Sequence, residues 1–290
     1  MLKKNLIIAS LVLLFAFLLP TSTALTLVEV THKNMIFDDK IAYLNHHPAA
    51  TKKPMVIGIE IQISNKAIER NYLANLPKNL DELDVKARKK QFISTMLPLV
   101  LRVNELIKSD RSQVEALRSK QILTIYEETW VLKTAKLYKL PSDTVADINF
   151  TELLLRINTI PPSLAIAQAA IESGWGTSRF AKHANALYGQ WTWSDHDDAG
   201  IVPQGRPDGA TYRIKSFNYL IQSVRAYALN LNSHIAYDSF RKGRALNNNG
   251  NSLTSHLTSY STRREAYVND LQNIIRTNKL SRLDDIALKP

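Results

Sequence analysis

Hydrophobic positions along this chain recur mostly at the three- and four-residue spacing of helices, and only briefly at the two-residue spacing of strands. Ile93, Met96, Leu97, Val100 and Ile107 share one face and predict an amphipathic helix over 86–108. Residues 112–139 predict a second long helix with a break near Ile122. Tyr126 and Trp130 are four apart in it and read as core packing. Pro141-Ser142-Asp143 marks a turn, and a short helix is expected over 147–157. Leu220, Val224, Tyr227 and Leu231 give the buried stripe of a helix over 218–232, and further helices are expected over 235–246 and 253–259. A final helix over 263–278 turns Tyr267, Leu271, Ile274 and Ile275 inward. Strand patterning is confined to 25–30 and 55–63, read as an extended arm or small two-strand element, and to Gln190-Trp191-Thr192-Trp193. Alternation in that last run puts both tryptophans on one side. The polar segment 194–213, punctuated by Gly200, Pro203, Gly205, Pro207 and Gly209, predicts a hairpin or loop excursion.

The segment Pro161 to Gly176 breaks the amphipathic pattern. Proline near the first helical position suits a helix start, and Gly174 and Gly176 stop the helix and turn the chain around Trp175. Nine of the ten residues from Leu164 to Ser173 are neutral, so this helix can lie deep in a domain. The exception is Glu172. A carboxylate closing an apolar helix beside a tryptophan loses hydration, which disfavours its charged form and raises its pKa. That environment suits a general acid near neutral pH.

Composition narrows the chemistry further. Cysteine is absent from the 290 residues, which removes disulfides, thiolate metal sites and a thiol nucleophile. Met1-Leu2-Lys3-Lys4 is followed by an apolar run from Leu6 to Leu19 and then by small residues to Ala24. This pattern predicts a signal peptide over 1–24, or an uncleaved anchor, and hence an exported protein of the periplasm or cell envelope. Lysine and arginine number 37 against 26 acidic residues, a net charge of +11. The basic residues are scattered without an aromatic-interleaved stripe, so nucleic acid is not the expected partner. An anionic wall polymer is, with membrane-surface association as a further expectation. His196 between Asp195 and Asp197-Asp198 reads as a solvated loop, because these ligand types lack metal-site spacing. Neither metal nor cofactor is expected.

Ala167-Gln168-Ala169-Ala170-Ile171-Glu172-Ser173-Gly174-Trp175-Gly176-Thr177-Ser178, followed by Asn185-Ala186-Leu187-Tyr188-Gly189-Gln190-Trp191, closely resembles the bacterial N-acetylglucosaminidase family, glycoside hydrolase family 73. The Pro-Pro-Ser entry, the Gly-Gln-Trp run and Arg206-Pro207-Asp208-Gly209-Ala210 look most like its Bax-like branch. The resemblance covers about 145–280. It implies a mainly α (α+β), lysozyme-like helical catalytic domain over 141–290 with a small β-hairpin lobe, preceded by a helical N-terminal extension over 25–140. It also implies a peptidoglycan hydrolase, an endo-β-N-acetylglucosaminidase that cleaves the β-1,4 bond after N-acetylglucosamine. Glu172 is then the general acid. Tyr260, opening a segment similar to the family's C-terminal tyrosine motif, joins it as a catalytic residue that orients the substrate's 2-acetamido group. Trp175, Asn185, Tyr188, Gln190, Trp191, Trp193 and Tyr267 are the expected substrate contacts, with peptidoglycan glycan strands as partner. Family members often carry a second glutamate in the β lobe, where this chain has only Asp195, Asp197, Asp198 and Asp208. The alternatives are a lytic transglycosylase, an endoglycosidase acting on N-glycans, and a wall-binding protein without turnover.

Overall fold

The computed structural model describes residues 66–193 and 200–290. The leader, the strand-prone segments at 25–30 and 55–63, and the Asp195 to Asp198 cluster lie outside the described residues. In chain order the elements are β1 (Ala67–Ile68), α1 (Val85–Arg118), α2 (Ile125–Leu137), α3 (Phe150–Arg156), α4 (Pro162–Ser173) and α5 (Arg179–Ala184). They continue with β2 (Trp191–Thr192), β3 (Gly200–Ile201), β4 (Arg213–Lys215), α6 (Leu220–Ser233) and α7 (Asp238–Leu246). Last come α8 (Gly250–Leu253), α9 (Glu265–Thr277) and β5 (Ala287–Leu288). The architecture is the expected one, mainly helical with a small β lobe.

Helix α1 is a 34-residue rod, about 50 Å long at the α-helical rise. Asp84 caps it by accepting from the amides of Lys86 and Ala87, satisfying two of the donors a helix start leaves free. The single apolar face read from its periodicity is too narrow. Nearly every residue from Phe92 to Ile107 is buried, because α4 and α6 both pack on this helix. It also runs past the expected end at 108 to Arg118, and the break before α2 spans 119–124. There Thr124 and Glu127 form a capping box that restarts the helix. Trp130 fills the core, whereas Tyr126, expected beside it, is exposed.

Helix α4 runs through the middle of this core. Leu164, Ile166, Ala167 and Ala169 are fully buried, and each of the two larger side chains contributes about 2 kcal/mol by leaving water. Its entry is fixed by contacts remote in sequence. The Asn104 amide of α1 donates to the Ile160 carbonyl and accepts from the Ile160 amide. Arg244 of α7 donates to the carbonyls of Leu155, Asn158 and Thr159 and to Asn232 Oδ1. At its N-terminus, the Ser163 amide and hydroxyl each donate to the Asp284 carboxylate at 2.7 Å. The segment carrying Asp284 continues into β5, which pairs in parallel with β1 through Ala67↔Ala287 and Ile68↔Leu288. The chain's last residues thus close over the start of α4.

The β lobe is a three-stranded antiparallel sheet in the order β2-β4-β3, with Trp191 opposite Ile214 and Gly200 opposite Lys215. Gly200 passes so close to the Ile214 backbone that a side chain there has no room. Ala184, Ala186 and Ile214 form a small separate core that ties this lobe to α5.

Candidate active site

Glu172 lies in the last turn of α4, and the backbone beyond it is unusual. Gly174, Trp175 and Gly176 take φ of 58°, 57° and 81°, three successive left-handed residues. Glycine adopts this conformation freely; Trp175 does so against its preference. The turn closes through the Trp175 amide donating to the Ala170 carbonyl and the Gly174 amide to that of Ile171. Ser173 Oγ donates to the Ala169 carbonyl and accepts from the Gly176 amide, locking the turn from within. The Trp175 ring meets Phe92 of α1 edge-on at 5.8 Å, with Lys89 Nζ 5.0 Å above its face. Trp175 is thus half-buried in the wall between α1 and the end of α4.

The Glu172 side chain is partly buried beneath the loop that follows α5. A Cβ at Gly189 would lie 3.4 Å from Glu172 Oε2, and φ of 63° at Gly189 lets the loop cross there. Loss of hydration raises the Glu172 pKa, and a hydrogen bond with the Tyr267 hydroxyl acts in the opposite direction. The charge of the same carboxyl also acts on Tyr237 and Tyr260, and opposes their ionisation. Burial raises the pKa of each of these tyrosines, so all three stay neutral hydrogen-bonding groups at ordinary pH.

The expected site residues fall into three groups. Glu172, Tyr260 and Tyr267 come together, and Gly189, which was not among the expected residues, lies against the Glu172 carboxyl. The Tyr260 ring stacks on that of Tyr267, with centroids 5.6 Å apart and planes 3° apart, and its hydroxyl donates to the Tyr188 carbonyl at 3.2 Å. Gln190 follows Gly189, and its buried Oε1 has no partner among the described residues. Trp191 and Trp193 are exposed, by 54 % and 63 %, and meet edge-on; Trp191 also stacks on Tyr212 at 4.6 Å. This patch on the β lobe is an open aromatic surface.

Asn185, Tyr188 and Tyr267, expected among the substrate contacts, are buried in the wall. Asn185 ends α5 at φ 50° and holds Asn75 and the carbonyls of Phe217 and Asn218. The Tyr188 ring stacks on Tyr227 at 3.9 Å. The Asn185 and Tyr188 side chains hold the loop in place. Tyr267, read mainly as packing, also reaches Glu172 with its hydroxyl. Asp208 is exposed on a turn, and among the described residues no cluster of metal-ligand type occurs.

Sequence reading missed Gln168 and Tyr237. Gln168 is fully buried one turn before Glu172 on α4, and its amide bonds both Tyr227 and Tyr267. The available signal was a polar residue inside a run of alanines, four positions from an ionisable one. Tyr237 carried no such signal, because it arrives from a 3₁₀ turn after α6.

Residues 149–280 match the glucosaminidase family, described as mannosyl-glycoprotein endo-beta-N-acetylglucosaminidase. The chain is similar to protein bax of Escherichia coli (strain K12), 29 % identical over 262 residues, covering 84 % of this chain and 91 % of that protein. Among solved structures it is similar to the catalytic domain of the autolysin Auto from Listeria monocytogenes. The TM-score there is 0.40 and the identity 18 %, covering 73 % of this chain and 99 % of that one. The matched span contains Glu172, Tyr260 and Tyr267 and the elements that bring them together. Residues 149–280 are therefore similar to the glucosaminidase family, within a chain similar to Bax over most of its length.

Proposed function

We propose that this chain is an endo-β-N-acetylglucosaminidase acting on peptidoglycan, with Glu172 as the general acid. The observation that carries this reading is a partly buried carboxyl at the end of a buried helix, lying under Gly189 of the loop that leads directly to the exposed Trp191 and Trp193. Protonated Glu172 gives its proton to the glycosidic oxygen as the bond to the anomeric carbon breaks, and the bonding pair leaves with that oxygen. The substrate's own 2-acetamido oxygen then attacks the anomeric carbon, and water later opens the cyclic intermediate and returns the proton to Glu172. The Tyr260 hydroxyl spends its proton on the Tyr188 carbonyl, which leaves its oxygen to accept the acetamido N–H. The exposed indole of Trp191 suits the apolar face of a pyranose.

An acid catalyst works while protonated. Activity therefore falls as pH rises through the raised Glu172 pKa, later than an ordinary glutamate would give. The net charge of +11 favours an anionic wall, and the leader over 1–24 favours export to the cell envelope.

The test digests purified sacculi with wild type and with Glu172→Gln, which keeps shape and removes the transferable proton. Loss of at least a hundredfold in rate, with new reducing N-acetylglucosamine ends from the wild type by mass spectrometry, is expected. Undiminished turnover by Glu172→Gln refutes the acid assignment. Anhydro-muramyl ends in place of reducing ends make the protein a lytic transglycosylase instead.

A further inference from the structure

Three helices bring one hydrogen-bond chain to the Glu172 carboxyl. Tyr227 of α6 donates its hydroxyl proton to Gln168 Oε1 at 2.7 Å. Gln168 of α4 donates from Nε2 to the Tyr267 hydroxyl oxygen at 3.0 Å. Glu172 follows Gln168 by one turn on the same face of α4, which places the Tyr267 hydroxyl of α9 beside its carboxyl, where it acts to lower the carboxyl's pKa. Both hydrogen bonds run between buried side chains; Gln168 is fully buried and Tyr227 and Tyr267 are each 1 % exposed.

The chemistry of the groups gives this chain a direction. A primary amide has one face that only donates and one that only accepts. Tyr227 must donate to the acceptor face, because its hydroxyl meets the carbonyl oxygen. That commits the amide nitrogen to Tyr267, whose oxygen is thereby an acceptor and whose own proton is left for Glu172. If the amide were turned over, its carbonyl would take the Tyr267 proton and Glu172 would lose its donor.

We propose that Gln168 and Tyr227 are positioning residues, which hold the Tyr267 hydroxyl as a donor toward Glu172 and so direct the acid's own proton to the other carboxyl oxygen and the substrate. The inference rests on Glu172 being the acid and adds how its proton is oriented. A carboxylic acid that accepts at one oxygen carries its proton on the other, so the relay removes an unproductive orientation of the catalyst. Donation from Tyr267 also favours the ionised carboxylate, which moderates the rise that burial causes. The titratable and charged groups facing this chain are few. The charge of Glu172 acts on Tyr237 and Tyr260, and Tyr188, Tyr260, Tyr237 and Arg244 act on Tyr227.

The test uses Gln168→Met, Tyr227→Phe and Gln168→Glu in the full chain. The Glu172 carboxyl is followed by ¹³C NMR titration, assigned by its absence in Glu172→Gln, alongside pH profiles of sacculus digestion. Gln168→Met and Tyr227→Phe remove the directing amide and its anchor, so the Glu172 pKa and the alkaline limb of kcat/KM should move up together by about 0.5 unit. The rate should fall several-fold. Gln168→Glu reproduces the amide's donor and acceptor while protonated and becomes acceptor-only when ionised. Its activity should therefore stay near wild type at acid pH and collapse faster as pH rises. An unmoved Glu172 titration in both Gln168→Met and Tyr227→Phe overturns the proposal even if both lose activity, because packing damage alone lowers rate at every pH. Tyr227→Phe deletes a single oxygen and tests the idea if Gln168→Met fails to fold. Activity surviving in Glu172→Gln would instead sink the acid assignment, a separate failure from an unmoved titration.

Discussion

The two glycines that end α4 look equivalent in the sequence, and the structure predicts that they differ sharply. Gly174 has φ 58°, inside the small left-handed well that L-residues can enter, and a Cβ there meets only Thr177 Oγ1 at 3.3 Å. Gly176 has φ 81°, beyond that well. A Cβ there would lie 2.8 Å from Leu80 Cδ1, 3.1 Å from Phe92 Cδ2 and 3.2 Å from Leu76 Cδ1. Gly174→Ala therefore carries mainly the left-handed conformational cost, about 1–2 kcal/mol. Gly176→Ala adds overpacking of about 1–3 kcal/mol against a buried cluster, for a total of about 2–5 kcal/mol. Urea unfolding followed by tryptophan fluorescence measures both, and Gly176→Ala should cost at least about 1 kcal/mol more than Gly174→Ala. Leu80→Ala should relieve part of the clash, so the double variant should lose less than the sum of the two singles, by about 1 kcal/mol. Because this turn seats the Trp175 ring on Phe92 and ends the helix bearing Glu172, Gly176→Ala should also slow turnover. Equal losses for the two glycine variants, or strict additivity with Leu80→Ala, would refute the crowding argument.

Two further outcomes follow from exposure and from the remote clamp on α4. Trp191→Ala and Trp193→Ala remove exposed side chains, so each should shift stability by no more than about 0.5 kcal/mol. Each should weaken binding of soluble glycan oligomers, read as KM, by about 10-fold, the worth of one aromatic contact of about 1.4 kcal/mol. Asp284→Ala deletes the acceptor for the Ser163 amide and hydroxyl and should cost about 2–3 kcal/mol in thermal unfolding. Burial raises the Asp284 pKa, so its contribution is fullest at acid pH and declines as pH rises through that raised value. Asp284→Asn should flatten that decline, and an unchanged pH dependence of the midpoint would count against it.

Where a property is local, the amino-acid order already held it. Pro161-Pro162 and Gly174 bound α4 because proline presets the first turn and glycine tolerates the left-handed cap, and both effects act within a few residues. The helical periodicity of α6 and α9 likewise named their buried sides, and the lone charge in α4 singled out Glu172. The failures were those of partnership. Helix α1 is buried beyond its apolar stripe because α4 and α6 both pack on it, and periodicity records one face at a time. Asn185 and Tyr188 have the chemistry of ligand contacts but are buried, which depends on what the loop crosses. Gln168 acquires its meaning from Tyr227, 59 residues away, and Tyr267, 99 residues away, while Ser163 is held by Asp284 across 121. A hydrogen bond acts over about 3 Å whatever the separation along the chain, so the order of residues could single out Glu172, and only the folded packing of α4, α6 and α9 brought Gln168, Tyr227 and Tyr267 together one turn before it.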